Sequence, residues 1–327
     1  MSQPLLSRVA DSVYWMSRYI ERAENVARVV DVNLHLLLDM PFGAGEQWSP
    51  LVDTSGDAGT FKQRYGKDAT RENVVHFLTA DATNPNSILS CLRTARENAR
   101  TVRDTISSEM WEQANKMYLS LQDALGSSTF PESLQSVFYD VKMGCHLFQG
   151  ITDSTMSHGE AWHFIQLGRM LERADKTTRI LDVKYFLLLP SLRDVGTSVD
   201  DIQWSAVLKS VSGFEMYRKK HGRLTPDDIV EFLLLDSDFP RAVRHCLRKA
   251  ADSLRAITGT PVGSFANQAE RWMGHTCAEL DYAHVEHFIG RGLHESLDAL
   301  QSKLNQIDDG VYETFFAMRP IAGLTNS

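Results

Sequence analysis

The chain carries one charged segment twice, 151 positions apart, and this repetition limits the folds that it can adopt. Residues 18–24 read RYIERAE, and residues 169–175 read RMLERAD. Two further landmarks recur in the same order, namely Gln-Trp-Ser at 47–49 and 203–205, and Cys-Leu-Arg at 91–93 and 246–248. Because the offset drifts only from 151 to about 156, we predict an internal duplication, with repeats at about 7–150 and 158–310.

The period of the apolar residues predicts helices in both repeats. A long helix is expected at about 7–38 and its counterpart at about 158–189. Further helices are expected at about 70–79, 85–107, 108–126, 131–152, 225–235, 240–258, 264–277 and 279–304. Loops are expected at 41–47 and at 190–197, and a frayed end is expected from Arg319 onward. No segment sustains the period-2 alternation of a half-buried strand. We therefore predict an all-α helical bundle of two pseudo-symmetric, duplicated halves, forming a single unit over residues 1–327.

Composition argues against several classes of protein. The 34 basic and 42 acidic residues give a formal net charge of −8, whereas binding to nucleic acid needs a basic face, so no nucleic-acid partner is predicted. The four cysteines include no Cys-x-x-Cys pair, and we expect buried free thiols. No leader peptide is apparent, and no apolar run approaches the roughly 18 residues of a membrane helix. We expect a cytoplasmic protein without a membrane partner.

The sequence also lacks the usual signatures of cofactors, metals and nucleophiles. Glycine-rich phosphate loops and Ser-His-Asp or Cys-His patterns are absent, so no cofactor is predicted, and any step that uses ATP would need a partner. Glu160 and His163 have the spacing of a di-iron ligand pair, but this spacing occurs only once. We therefore predict no metal site.

Charged side chains form a stripe along each of the two long helices. At about 100° per residue, Arg18, Glu21, Asn25 and Arg28 share one side of the first helix, apart from the centre of its apolar face. The pattern Arg-x-x-Glu-Arg survives in both copies although neighbouring positions differ, so a freely solvated surface is the weakest interpretation. Two others stay open: buried Arg–Glu pairs that clamp helices, and a site for a ligand or partner. The candidate binding residues are Arg18, Glu21, Arg22, Asn25, Arg28, Arg169, Glu172, Arg173, Arg179, Glu97 and Arg100.

Two of these candidates, Glu97 and Arg100, lie on a later predicted helix. If that helix packs against the first, Arg96 or Arg100 is expected to complement Glu21. Such a mixed-charge pocket would hold a carboxylate or phosphate through bidentate arginine contacts. Glu21 and Glu172 are the candidates for a catalytic acid or base, and whether either is catalytic stays open.

Four segments together carry a resemblance to a known family. They are RYIERAEN at 18–25, ARENAR at 95–100, ISSEMWE at 106–112 and GLHE at 292–295. With them, the sequence resembles the bacterial alpha-E domain family over essentially the whole chain. The resemblance implies an all-helical fold and places the family's Glu-Arg motif on Glu21 and Arg22, with a second copy on Glu172 and Arg173. It also implies an ATP-grasp partner, because such members are typically encoded beside circularly permuted ATP-grasp proteins.

Three functional hypotheses follow. The first is an accessory helical protein that binds a substrate or partner and acts with an ATP-grasp amide ligase in peptide or amide synthesis or modification. The second is an enzyme that acts on a peptide or amide, with residues of the Glu-Arg motif as acid, base and anion anchor. The third is a purely structural scaffold. The expected ligand is a peptide or a small anion, and a homo-oligomer is left open.

Overall fold

The computed structural model describes residues 5–39, 48–128, 130, 133–187 and 198–317. In these ranges every regular element is a helix and no strand occurs, so the all-α prediction is confirmed. The predicted loops at 41–47 and 190–197 and the predicted frayed end from Arg319 lie outside the described residues.

Fifteen α-helices and a final π-helical turn, Tyr312–Phe316, make up the described chain. The α-helices are α1 (Ser7–Asp39), α2 (Ser49–Ser55), α3 (Ala58–Tyr65), α4 (Arg71–Thr79), α5 (Ile88–Thr101), α6 (Ser108–Gly126), α7 (Leu134–Thr155), α8 (Glu160–Leu187), α9 (Ser198–Ser210), α10 (Phe214–His221), α11 (Pro226–Leu235), α12 (Val243–Thr258), α13 (Gln268–Asp281), α14 (Val285–Arg291) and α15 (Leu293–Val311).

Helices α1 and α8 form the centre of the bundle and run side by side in the same direction. Gly168 of α8 lies against Tyr14 and Ser17 of α1, and further along both helices Glu172 lies against Arg22. Around this pair, α5 packs on α1 and α12 packs on α8. The two copies of the charged segment therefore meet at the centre of the molecule.

The apolar face that the sequence predicts for α1 lies in the core. Val13, Met16, Ala23 and Ala27 have no solvent exposure. Their spacing places them on one side of the helix, and burial of such surface stabilises the fold by about 25 cal/mol per Å².

Gly168 sets the distance between the two central helices. A Cβ atom placed on Gly168 would lie 2.6 Å from the backbone oxygen of Tyr14 and 2.7 Å from the hydroxyl oxygen of Ser17. That hydroxyl already donates a hydrogen bond to the same Tyr14 oxygen at 2.8 Å. Any larger residue would have to push α8 away from α1.

The helices that follow α1 and α8 come in a similar order. Short helices α2, α3 and α4 precede the longer α5, and α9, α10 and α11 precede the longer α12. Thr70 and Thr225 cap the corresponding helices α4 and α11, each accepting a hydrogen bond from a backbone N–H three residues on. This order agrees with the predicted repeats, and the duplication itself stays a prediction.

Two predicted helices end or break early. The helix predicted to reach about 107 ends at Thr101, because the next residues form a turn in which Ile106 N–H donates to the Val102 oxygen at 3.1 Å. The helix predicted at 279–304 is divided into α14 and α15 at Gly292, whose φ of +98° lies in a region that favours glycine.

Two groups of helices flank the centre. On one side, α6 and α7 form an antiparallel hairpin that packs on α5 and α1. On the other, α13 and α15 pack on each other, α13 packs on α12, and α15 packs on α8. The hairpin therefore has one face on the core and one face outward.

Candidate functional site

Glu21 and Glu172 lie between α1 and α8, and neither has any solvent exposure. Arg22 donates to both carboxylate oxygens of Glu172, at 2.6 Å from Nε and 2.8 Å from Nη2. Arg173 donates in the same way to Glu21, at 2.8 Å from Nε and 2.9 Å from Nη2. Each Glu-Arg motif therefore holds the other through a bidentate, charge-assisted fork.

A second arginine joins Glu172 to the C-terminal part of the chain. Arg18 donates from Nε to Glu172 at 3.0 Å. Its Nη1 atom lies 2.5 Å from Asp308 of α15 and donates to the Tyr14 hydroxyl at 3.1 Å. We call Glu172, Arg18, Arg22 and Asp308 the Glu172 cluster.

A different second arginine joins Glu21. Arg241, just before α12, donates from Nη1 to Glu21 at 2.9 Å and to Asn25 at 3.1 Å, and its Nη2 atom pairs with Glu24. Glu24 also pairs with Arg28. We call Glu21, Glu24, Arg173, Arg241 and Arg28 the Glu21 cluster.

The buried glutamates of both clusters stay ionised. Burial alone would raise the pKa of Glu172, but the facing Arg22 and Arg18 outweigh it and hold that pKa well below its usual range. Arg173 and Arg241 likewise outweigh burial at Glu21 and lower its pKa. Each cluster is therefore a set of paired charges at neutral pH.

A cavity of about 240 Å³ opens over the Glu172 cluster. Its lining contains four basic and two acidic side chains among mainly polar residues, which are Arg18, Arg22, Ser55, Gly56, Asn86, Leu171, Asp175, Lys176, Arg179, Leu304, Asn305 and Asp308. This volume is sufficient for a small organic anion or a phosphate group.

Two basic side chains at this cavity have N–H groups that donate no hydrogen bond within the described chain. Lys176 is mostly buried, and its Nζ atom lies 3.3 Å from Asp175 and 3.8 Å from Glu172 without a hydrogen bond to either. Arg179 bonds Asp175 through Nε alone, at 3.0 and 2.9 Å. The ammonium group and the Nη atoms of Arg179 are therefore available to a ligand.

One residue of the Glu21 cluster differs from its counterpart beside the Glu172 cluster, and its size determines how much space lies above the carboxylates. The predicted repeats align Pro85 and Asn86 with Pro240 and Arg241. Asn86 is short, accepts a hydrogen bond from Arg22 at 2.6 Å and lines the cavity. The longer Arg241 instead lies across the carboxylates of its own cluster, where its side chain is 8% exposed.

A second sequence difference between the two clusters compensates for the positive charge of Arg241. Lys176 in α8 aligns with Asn25 in α1. The Glu172 cluster thus has a lysine on the helix and an asparagine before α5, whereas the Glu21 cluster has an asparagine on the helix and an arginine before α12. Both clusters receive one additional positive charge, and the shorter Asn86 leaves the first of them open to a cavity.

The motif held by these forks also appears in the description of a known family. Residues 5–316 match the Alpha-E family, described as a predicted alpha-helical domain with a conserved ER motif. The chain belongs to the Alpha-E family. In this Alpha-E protein, the two Glu-Arg dipeptides are the two halves of one reciprocal pairing.

Curated relatives of this Alpha-E chain include uncharacterized proteins of Mycobacterium tuberculosis and Mycobacterium bovis. Each is 24% identical over an alignment 327 residues long, which covers 93% of this chain and 35% of the relative. The chain thus spans about a third of the length of these relatives. No solved structure matches it.

The candidate residues predicted from the sequence divide into three groups. Arg18, Arg22, Glu172 and Arg179 lie in or beside the Glu172 cluster and its cavity. Glu21, Arg28 and Arg173 lie in the Glu21 cluster, and Asn25 lies beside it. Arg169 bonds Gln166 and lies 4.0 Å from Asp153, and thus joins neither glutamate directly. Because these stripes are largely buried, the interpretation as plain surface is wrong.

The candidates Glu97 and Arg100 belong to neither cluster. They pair with each other at 2.9 Å, with side chains 42% and 61% exposed. Arg96 pairs with Glu97 at 2.7 Å. The expectation that Arg96 or Arg100 complements Glu21 is therefore wrong, because Arg173 and Arg241 fill that role.

Several site residues were not predicted. Each copy of the motif has an acid after Glu-Arg-Ala, Glu24 in the first copy and Asp175 in the second. The repeat itself therefore indicated that these acids belong to the site. Arg241 and Asn86 follow the aligned prolines, where the change from asparagine to arginine was readable. Asp308 carried no such signal, because its link to Arg18 joins residues 290 positions apart.

The described residues add two observations. No helix among them is long and apolar enough to cross a membrane. The same residues include no group of three or more His, Cys, Asp or Glu side chains with the geometry of a metal site.

Proposed function

We propose that this Alpha-E protein is an accessory binding protein that holds a small anionic ligand in the cavity over Glu172. The observation that carries the proposal is the pair of basic groups, Lys176 and Arg179, whose unused donors face a cavity of about 240 Å³. A carboxylate or phosphate group would accept hydrogen bonds from both. Such charge-assisted bonds are the strong ones in proteins.

The cluster beneath the cavity supports a preorganised site. Glu172 fixes the guanidinium groups of Arg18 and Arg22, and Asp308 fixes Arg18 from the other side. These side chains therefore do not need to be ordered when the ligand binds, which lowers the entropic cost of binding.

Burial supports a positioning role for the two glutamates over a role in proton transfer. A general base must come within hydrogen-bond distance of the proton that it accepts. Glu21 and Glu172 have no exposure, and arginines occupy their oxygens. The hypothesis of an enzyme with these residues as acid or base therefore has less support than a binding protein.

Binding is tested by isothermal titration calorimetry with inorganic phosphate and, separately, with succinate. We expect at least one of them to bind the wild-type chain with a dissociation constant of about 1 mM or tighter. Asn86→Arg should fill the cavity as Arg241 fills the other cluster, and should weaken binding about tenfold or more.

Arg100→Gln is the matched control for this experiment. It removes an arginine whose side chain is 61% exposed and which does not line the cavity, so binding should be unchanged. An absence of binding by both anions, or equal binding by the Asn86→Arg variant, would contradict the proposal.

The second part of the proposal concerns the partner. The resemblance to alpha-E proteins encoded beside ATP-grasp proteins supports action with an ATP-grasp amide ligase in peptide or amide synthesis or modification. An amide ligase activates a carboxylate, and the cavity suits a carboxylate ligand. Co-purification of the chain with an ATP-grasp amide ligase from the same genome tests this part. If the two do not bind and the ligase is fully active alone, this part is wrong.

A further inference from the structure

The outward face of the α6–α7 hairpin carries an apolar groove of about 360 Å³, larger than the cavity over Glu172. Its floor is formed mainly by buried side chains of the two helices, including Met117, Leu121, Val137 and Val141. Nothing in the proposed anion site uses this groove. It is therefore a separate feature of the molecule.

One wall of the groove continues as an exposed apolar stripe. Tyr139, Met143 and Leu147 of α7 are 57%, 39% and 52% exposed. Their spacing of four residues places them along one side of the helix. Single exposed apolar residues are ordinary, whereas a stripe beside an apolar groove marks an interaction surface.

Opposite charges stand on the two walls. Lys116 of α6 and Asp140 of α7 both line the groove, and both are exposed. Neither makes an ion pair or a side-chain hydrogen bond within the described chain. A face with one base and one acid on opposite walls is complementary to itself after a twofold rotation, since each base then meets the acid of the other copy.

We propose that a second copy of this chain docks on this face. Two α6–α7 hairpins would pack across a twofold axis into a four-helix bundle, the usual way in which two helical hairpins bury their outer faces. Met143 and Leu147 of each copy would enter the groove of the other. Lys116 of each copy would pair with Asp140 of the other.

Sedimentation analysis of the full chain tests the proposal. We expect the wild-type chain to be a dimer at a protein concentration of about 100 μM. Met143→Glu places a charge in the apolar interface and should raise the dissociation constant about a hundredfold. Lys116→Asp and Asp140→Lys should each weaken the dimer about tenfold through like-charge contacts, and the double variant should restore it.

The control is Tyr282→Glu, which changes a residue 84% exposed that does not line this groove. It should leave the dimer unchanged. In dilute solution, where the wild type and the variants are all monomeric, circular dichroism melts should match for the Lys116 and Asp140 variants, because neither residue has a partner within one copy among the described residues. A wild-type monomer, a double variant that dissociates as readily as the single ones, or a Tyr282→Glu variant as weak as Met143→Glu would each overturn the proposal.

Discussion

At the scale of single residues, the carboxylate of Glu172 determines where three cations lie. It is bonded by Arg18 and Arg22 and lies 3.8 Å from the Lys176 ammonium. A buried ion group of this kind adds little stability relative to an apolar core, but removing one partner leaves uncompensated charge. The glutamate therefore holds the three cations in place, and its loss leaves their charges unbalanced.

Glu172→Gln should destabilise the protein strongly. The amide cannot balance the charges of Arg18 and Arg22, and breaking a buried pair costs about 3–5 kcal/mol. The free energy of unfolding in urea at neutral pH measures the effect.

Glu97→Gln is the matched control, because the same chemical change removes two partly exposed ion pairs, with Arg96 and Arg100. An exposed pair contributes about 0–1 kcal/mol. Equal losses of stability for the two variants would show that the burial of Glu172 has no energetic consequence.

The lowered pKa values of Glu21, Glu24 and Glu172 predict a dependence of stability on acid. A carboxylate with a lowered pKa in the folded state contributes stability that is present above its unfolded pKa, about 4.3 for Glu, and is lost as the pH falls through the folded pKa. The free energy of unfolding should therefore fall below about pH 5.

Urea titrations at a series of pH values from about 7 to 3 measure this dependence. Glu172→Gln should show a shallower acid dependence than the wild type, since it has lost one such group. If the free energy of unfolding depended on pH as steeply in the variant as in the wild type, protonation of Glu172 would not contribute to the acid dependence.

At the scale of helices, the contact of α1 with α8 depends on Gly168. Gly168→Ala would bring a methyl group to 2.6 Å from the Tyr14 backbone oxygen, which cannot move as a side-chain tip can. We expect a loss of about 1–3 kcal/mol from forced separation of the helices. Thermal and urea unfolding measure it.

Gly150→Ala in α7 is the control for this prediction. A Cβ at Gly150 meets nothing within 4 Å, and alanine is favoured over glycine inside a helix by about 1 kcal/mol. This variant should be as stable as the wild type or more stable. A loss of stability from Gly150→Ala equal to that from Gly168→Ala would remove the steric explanation.

The helices themselves were largely predictable from the sequence, because their signals are local. The apolar period located α1 and α8, and Thr225 with Pro226 marked the start of α11. The break at Gly292 was missed, because an apolar period continues on both sides of it and a glycine does not reveal its φ.

The candidate site was only partly predictable, because its decisive contacts are long-range. The repeated motif identified Glu21 and Glu172 as central residues, but left a clamp and a pocket open as alternatives. The reciprocal forks require α1 and α8 to lie side by side in register. No local sequence pattern predicts that arrangement of two helices. The cavity depends on the length of the side chain at position 86, and thus on packing rather than on the motif.

At the scale of the whole molecule, the two clusters differ at two aligned pairs of positions, and substitutions can exchange the residues between them. Arg241→Asn with Asn25→Lys would give the Glu21 cluster the residue types of the Glu172 cluster at both positions. We expect a second anion site, so that the stoichiometry in calorimetry rises from one ligand per chain to two. Only the stoichiometry, not the affinity of the first site, should change.

The reverse exchange, Asn86→Arg with Lys176→Asn, is the matched comparison. It should abolish the original site with a smaller loss of stability than Glu172→Gln, because the number of positive charges near Glu172 is kept. Unchanged stoichiometry in both exchanges would show that positions 86 and 241 do not control the sites.

The forks also have a consequence for a cut chain. Arg22–Glu172, Arg173–Glu21, Arg241–Glu21 and Arg18–Asp308 each join a residue before Met156 to a residue after Gly159. Cleavage in the short connection between α7 and α8 would break none of them. The two fragments would then be complementary pieces, each holding a buried glutamate that is bonded by arginines of the other. We expect such pieces to reassemble when mixed, so the protein is suited to use as a split reporter.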